Sequence, residues 1–244
     1  MAAGPDAPPS DALAALEGLV RRRRAVRRFR PDPIPDAVLQ RLLDAARWAP
    51  SGYNLQPTHF YVVTDPELKQ RLFRPCMNQR QVLDAYATVV FSGDRRVAAN
   101  NFDAVLAAER ALGSISPEYE AALQKYVPLA FGHGPLGFGW LWKAVLAPLM
   151  GLATPLPSIP AVHKRYWLAK QVCLSAMVFL LAAEAAGLAT VPMEGFDERR
   201  VKRALGIPRW HIVPVLAPVG YAADAKLKKS RLPLAAISHW NRWR

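Results

Sequence analysis

Residues 21–30 read RRRRAVRRFR, and seven of the ten are arginine. A guanidinium carries a fixed charge on a planar fork of donors, so such a run is suited to anions. Three ligands fit that chemistry: nucleic-acid phosphate, anionic lipid, or one small phosphorylated molecule. Further polar groups stand at set places along the chain. Pro50, Ser51, Asn54 and Gln56 lie in PSGYNLQP, and Asn78 and Gln81 in NQRQ. Pro192, Met193, Glu194 and Gly195 lie in VPMEGFD, and Lys229 and Arg231 in KKSRLP. An amide such as Asn78 offers both donor and acceptor, as a heterocycle edge requires.

Other chemistries find less support. Ser51 lacks the GxSxG surround of a strained nucleophile turn. No His, Cys and Asp group has the sequence spacing of a metal site, so no metal is expected. The two cysteines, Cys76 and Cys173, are far apart and read as reduced thiols of a cytoplasmic protein. The net charge of +13 permits contact with phosphate or acidic surfaces without choosing among them. No nucleic-acid motif accompanies the arginines, so no nucleic-acid partner is expected. The surplus ones read as a solvated basic helix end. FRPDPIPD follows the run where a twin-arginine signal would need an apolar stretch.

The elements that must position these groups follow from pattern. With 52% apolar and 21% charged residues over 244 positions, the chain can bury one sizeable core. Residues 1–10 read as a disordered tail and 11–244 as one domain. SDALAALEGLVRRRR predicts a helix capped by Ser10 or Asp11. PIPDAVLQRLLDAARWAP predicts a second, capped by Asp36, with Val38, Leu39, Leu42, Leu43 and Ala46 on one face. Strands are expected at 59–64 and 87–93, and a polar helical region over about 95–127. A long apolar helix is expected at 168–186, stopped by Gly187. Only 12 of its residues, Val172–Ala183, lack a strongly polar group, short of the roughly 20 a membrane span needs. HIVPVLAPVGY reads as a late strand, placed at an edge by its prolines. Without a regular βαβ rhythm or a Gly-rich phosphate turn, an α+β layered fold fits better than a dinucleotide-binding one.

The order RRRRAVRRF, then PSGYNLQP, then PMEGFD and KKSRLP resembles the FMN-dependent nitroreductase family over about residues 17–235. The resemblance implies a nitroreductase-like fold, a central and mostly antiparallel sheet flanked by helices, in an intertwined homodimer with its sites between subunits. It implies FMN as cofactor and NAD(P)H as co-substrate. Electrons would pass by a ping-pong route to a nitroaromatic, quinone or similar acceptor. Arg23, Arg24, Lys229 and Arg231 would hold the flavin phosphate, with Ala25 beside it, and Arg27 and Asn78 would meet the ring edges. Backbone N–H groups of Glu194 and Gly195 would face N5 and O4. Pro50, Ser51, Asn54 and Gln56 would reach in from the other subunit. Other work on this fold includes flavin destruction, dehalogenation and azoline oxidation; a flavin-binding protein with little turnover is a further reading.

This chain departs from the family in places. Ala25 stands where a serine is frequent, and Gln81 where close relatives have lysine. The segment 134–162 is a longer, hydrophobic insertion with the single charge Lys143. It reads as a lid, as a membrane-surface foot over 134–165, or as a docking face. Tyr126, Phe131 and His133 are candidates to touch substrate, against the plainer reading of core or loop residues. Tyr166 and Trp167 are weighed in the same way.

Overall fold

The computed structural model describes residues 11–132, 145, 149, 152, 160–224 and 228–243. Its centre is an antiparallel sheet built by β1 (Phe29–Arg30), β2 (Thr58–Val63), β3 (Ala87–Asp94), β4 (Ala189–Thr190) and β5 (His211–Ala222). The strands lie in the order β1-β5-β3-β2, and β4 also pairs with β5. Every residue of β3 is buried, which explains its run of small and β-branched residues without alternation. The α+β expectation holds.

Helices α1 (Asp11–Arg22), α2 (Asp36–Arg47), α3 (Pro66–Phe73) and α4 (Gln81–Asp84) precede β3. Helices α5 (Val97–Ala111), α6 (Pro117–Phe131), α7 (Pro160–Ala185) and α8 (Glu198–Leu205) follow it. The polar stretch after β3 is therefore two helices, the second opened by Ser116, whose hydroxyl accepts from Tyr119 N at 3.2 Å. In α2, Leu39, Leu42 and Ala46 are buried as the spacing predicts. Its cap differs: Pro35 holds the N-cap position without a side-chain bond, and Asp36 is the first helical residue, where its charge still favours the N-terminus.

The long helix α7 is the spine of the core. It begins eight residues earlier than predicted, at Pro160, and has a non-helical residue at His163. Gly187 ends it with φ +74°, and Leu188 N closes back on Ala183 O at 2.8 Å. From His163 to Ala185 it is long and apolar enough to cross a membrane by length and composition. Here that apolarity is used in packing. Leu168, Val172, Phe179 and Ala183 are buried against the sheet and α2. Phe91 is the hinge of this contact, edge-on to both Phe179 at 5.4 Å and Phe60 at 5.6 Å.

β5 is not at an edge, contrary to its prolines. It lies inside the sheet between β3 and the short strands β1 and β4. The reason is which way the prolines point. Leu216 exchanges both backbone bonds with Met193, and Pro218 O accepts from Val191 N at 3.2 Å. Even-numbered residues of this strand thus face β4, so the missing N–H of Pro218 takes nothing from the long β3 ladder. Pro214 sits where the register slips between Phe91↔Val215 and Gly93↔Ile212, in a bulge.

His133 and most of 134–162 lie outside the described residues, as does the expected tail. Val145, Leu149 and Leu152 of the insertion are described, and all three are exposed.

Candidate functional site

The arginine run begins at the C-terminus of α1, where Arg23 N still bonds Leu19 O at 2.9 Å. Val26 N then bonds Thr190 O at 3.0 Å, and this bridge turns the chain alongside β4. The run divides into two sets. Arg22 pairs with Glu184 at 3.9 Å, Arg28 with Asp224 at 3.5 Å, and Arg30 with Asp32 at 2.9 Å while covering the Tyr221 ring. These account for much of the surplus, which is exposed as expected and carries surface ion pairs. Among the described residues no carboxylate pairs with Arg23, Arg24 or Arg27. Arg23 and Arg24 are half-buried, and Arg27 is exposed.

The C-terminal segment closes over this point. Lys229 Nζ donates to the carbonyls of Val20 and, at 2.9 Å, of Arg23, capping the end of α1. Arg231 is exposed beside it. Burial pushes the Lys229 ammonium below its usual range, and the charges of Arg23, Arg231 and Arg24 push it the same way, against a counter-effect from Glu184. Four cations therefore converge in one place. Arg23 Nη1 is buried there with no hydrogen-bond partner among the described residues. An orphaned guanidinium donor among like charges is costly unless an anion completes it. The donor set fits a phosphate.

The loop after β4 forms the next part. Met193 is clamped to β5, and Asp197 caps α8 by accepting from Arg200 N at 3.0 Å. Between them Glu194 and Gly195 are exposed, as is Pro192 just before Met193. Among the described residues no acceptor takes the N–H of Glu194 or Gly195. A Cβ at Gly195 would meet only the Gln79 amide, at 3.5 Å, so packing within the chain does not demand glycine there. Gln79 Nε2 donates to Gly195 O at 2.8 Å, and Gln81 Nε2 donates to Gln79 Oε1 at 2.8 Å. Gln81 is buried, so the residue of this segment that meets the loop is Gln79, which sequence reasoning passed over. Asn78 is exposed, in the left-handed region at φ +56°.

The 50–57 segment is held in a strained form, with Tyr53, Asn54 and Gln56 all at positive φ. Its supports are mostly side chains that no motif marked out. Gln171 Oε1 accepts from Gly52 N at 2.8 Å, Asn101 Nδ2 donates to Leu55 O at 2.9 Å, and Asn54 Nδ2 donates to Glu109 Oε1 at 2.8 Å. Ser51 Oγ accepts from Gln56 N at 2.9 Å, and Pro50 is exposed.

Helix α7 shows which of these parts share a face. Cys173 feels the charge of Glu194, and Glu184 meets Arg22. At 100° and 1.5 Å per residue these two positions lie about 20° apart in angle and about 16 Å along the axis. The cation cluster and the 194–195 loop therefore line one face. Gln171, which carries the 50–57 loop, lies about 160° away from Cys173, on the other side of the helix. One chain brings Arg23, Arg24, Lys229, Arg231, Glu194 and Gly195 to one surface and leaves Ser51, Asn54 and Gln56 behind.

The substrate candidates fare unevenly. Phe131 is buried, edge-on to Trp167 at 4.9 Å and Tyr53 at 6.1 Å, so its first role is core. It also borders a cavity of about 570 Å³ with Arg95, Arg96 and Trp210, at the opposite end of β5 from the arginines. Tyr126 is exposed on α6, with Lys125 Nζ 5.8 Å from its ring centre.

The nitroreductase family model matches residues 20–221, nearly the whole of this arrangement. The chain belongs to the nitroreductase family. A Thermus thermophilus protein named NADH dehydrogenase is 31% identical over 219 residues, covering 90% of this chain and 92% of that one. An oxygen-insensitive NAD(P)H nitroreductase of Enterobacter cloacae is 31% identical over 202 residues, 78% of this chain and 82% of the relative. Among solved structures, a nitroreductase-type protein of Exiguobacterium sibiricum in complex with FMN superposes with a TM-score of 0.71. It is 22% identical, over 93% of this chain and 97% of the other. Family membership makes this chain an oxidoreductase of the nitroreductase type.

Proposed function

We propose that residues 11–244 form one domain of an FMN-dependent oxidoreductase, which takes two electrons from NAD(P)H and delivers them to a nitroaromatic, quinone or similar apolar acceptor. The observation that carries this reading is the buried, partnerless Arg23 Nη1 within a cluster of four cations. Arg23, Arg24 and Arg231 would hold the phosphate, with Lys229 fixing the α1 terminus and lending its remaining donor. Arg27 supplies a positive charge beside the ring, and Asn78 a donor and acceptor for its edge. The N–H groups of Glu194 and Gly195, held in place through Gln79, orient the ring's reactive edge. Bound FMN supplies the two-electron chemistry itself, and the chain contributes orientation, charge and exclusion of water. Among the described residues no side chain stands out as a general acid, so solvent delivers protons. The two substrates take turns on the same open face.

The reading requires a homodimer. Ser51, Asn54 and Gln56 face away from the cation cluster in one chain and reach it only from a second copy. Apolar surface supports such pairing. Met177 of α7, Leu13, Leu16 and Val20 of α1, and Leu234, Ile237, Trp240 and Trp243 near the C-terminus are all exposed.

The test is an absorbance spectrum of the purified protein, then anaerobic NADPH, then a quinone. A yellow protein that bleaches and is reoxidised supports the reading. A yellow protein that neither NADH nor NADPH bleaches points to other work on the same fold. A colourless protein that refuses FMN overturns the site.

A further inference from the structure

At the end of the sheet away from the arginines, three side chains from three strands converge. His59 is the second residue of β2, Asp94 ends β3, and His211 begins β5. The strand register places them together, since His59 pairs with Ser92 and Asp94 with His211. One ligand atom from each lies within 4.8 Å of the others. The sequence hides this group, because its members are 35 and 117 residues apart along the chain. We propose that His59, Asp94 and His211 form a binding site for a divalent transition-metal ion of the zinc class, separate from the flavin site.

Each ligand is already oriented for the task. His211 Nδ1 is 2.7 Å from Ser92 Oγ, which leaves Nε2 to face Asp94. A hydrogen-bond partner on one ring nitrogen, which fixes the tautomer and orientation, is the usual companion of a metal bond through the other. Asp94 is fixed in turn, its Oδ1 accepting from Arg96 N at 2.7 Å and its Oδ2 from Asn100 Nδ2 at 2.6 Å. Asp94 and His211 are only 3% and 5% exposed, so both are largely desolvated. Yet they make no direct hydrogen bond: His211 Nε2 is 3.9 Å from Asp94 Oδ1. Two ligand atoms of a tetrahedral zinc, each about 2.1 Å from the ion, are about 3.4 Å apart. The gap is too long for a hydrogen bond and close to that edge. The third ligand lies at the surface. The His59 side chain is exposed, and its ring lies 4.9 Å from that of His211. A rotation of this ring closes the triangle.

The donor set decides the class of ion. Two imidazoles and one carboxylate suit zinc, cobalt or ferrous iron rather than calcium or magnesium, which take oxygen. Three protein ligands leave a position for water on the side of exposed His59. The ion would staple β2, β3 and β5 where the register slips.

The experiment uses the full chain with any purification tag removed, titrated with cobalt(II) and then competed with zinc. The expected result is a visible d–d absorption that saturates at one cobalt per chain and is displaced by zinc. His59→Ala changes an exposed residue and leaves the fold intact. It should weaken cobalt at least tenfold and abolish the rise in Tm that zinc gives the parent. Ser92→Ala, which keeps all three ligands, should weaken binding by about tenfold or more. A protein with no saturable cobalt band overturns the proposal, as does a band with equal affinity in the His59→Ala variant. Neither outcome bears on FMN binding, which is read at the other end of the sheet.

Discussion

Arg23→Ala distinguishes a ligand-binding arginine from one that serves the scaffold. Among the described residues Arg23 Nη1 is buried with no acceptor, and the charges of Arg23 and Lys229 oppose each other. An unsatisfied buried polar group costs about 1–3 kcal/mol. Arg23 is only half-buried, so relief at the low end, about 1 kcal/mol, is the expected gain on its removal. For a chain of this size that corresponds to roughly 2–4 °C in Tm. Apoprotein should therefore be stabilised. Binding should move in the opposite direction. Loss of one charge-assisted bond to a phosphate removes about 1.5–3 kcal/mol. At about 1.4 kcal/mol per factor of ten, FMN should bind roughly 10- to 150-fold more weakly.

Riboflavin supplies the control, because it has the ring and polyol without the phosphate. Its affinity should be unchanged by the substitution. The assay is fluorescence titration of apoprotein with both flavins, alongside thermal unfolding without flavin. Equal weakening for FMN and riboflavin, or a lower apoprotein Tm, would show that Arg23 is a structural residue. Either result would refute the phosphate socket.

Three further outcomes follow from the geometry. Gln79→Leu removes the bond to Gly195 O, worth about 1 kcal/mol, that holds the 194–195 loop, so FMN should bind about fivefold more weakly, as read by fluorescence titration. Burial pushes the Cys76 thiol up to about 11, and Cys173 is raised by burial and by the charge of Glu194. At mild alkaline pH, Cys76 should resist alkylation in native protein, whereas in a monomer made by Met177→Arg the uncovered Cys173 should react slowly, and faster when Glu194→Gln is added. Burial pushes Glu198 up, but Arg165 at 2.5 Å, Val213 N at 3.1 Å and Lys202 at 3.5 Å outweigh it and hold the carboxyl below its ordinary value. A lowered folded value means stability that is present above the unfolded pKa and lost as pH falls through the folded one. Urea midpoints should therefore drop less between pH 5 and about 3 in Glu198→Gln than in the parent.

Features set by neighbours in sequence were legible; features set by register were not. The apolar face of α2, the strands β2 and β3 and the Gly187 stop depend on a few adjacent residues. β5 misled because a proline's effect depends on which neighbour its missing N–H faces, and that parity is fixed only once Leu216 pairs with Met193. The same dependence hid the His59, Asp94 and His211 group, which exists only in the register of three strands. Near the site the sequence left the phase of the chain open. Met77 and Asn78 both turn at positive φ, so the chain re-enters with Gln81 inward and Gln79 toward the loop. No composition or spacing announces such a turn when neither residue is glycine.

The strongest case for a shared site also rests on phase. The motif PSGYNLQP and the motif PMEGFD give no sign of which side of the molecule each occupies. Helix α7 supplies that sign, because Gln171 and Cys173, two residues apart, point about 160° from each other. The first holds the 50–57 loop, and the second faces the 194–195 loop. On the Cys173 side the helix also exposes Met177 and Tyr166. A second copy laid against that face would bring its own 50–57 loop toward the partner's cation cluster and cover the apolar stripe in the same step. Pairing and site completion are then one event, so a variant held monomeric by Met177→Arg should lose FMN along with its partner. A folded monomer that kept full FMN affinity would separate the two and confine the site to a single chain.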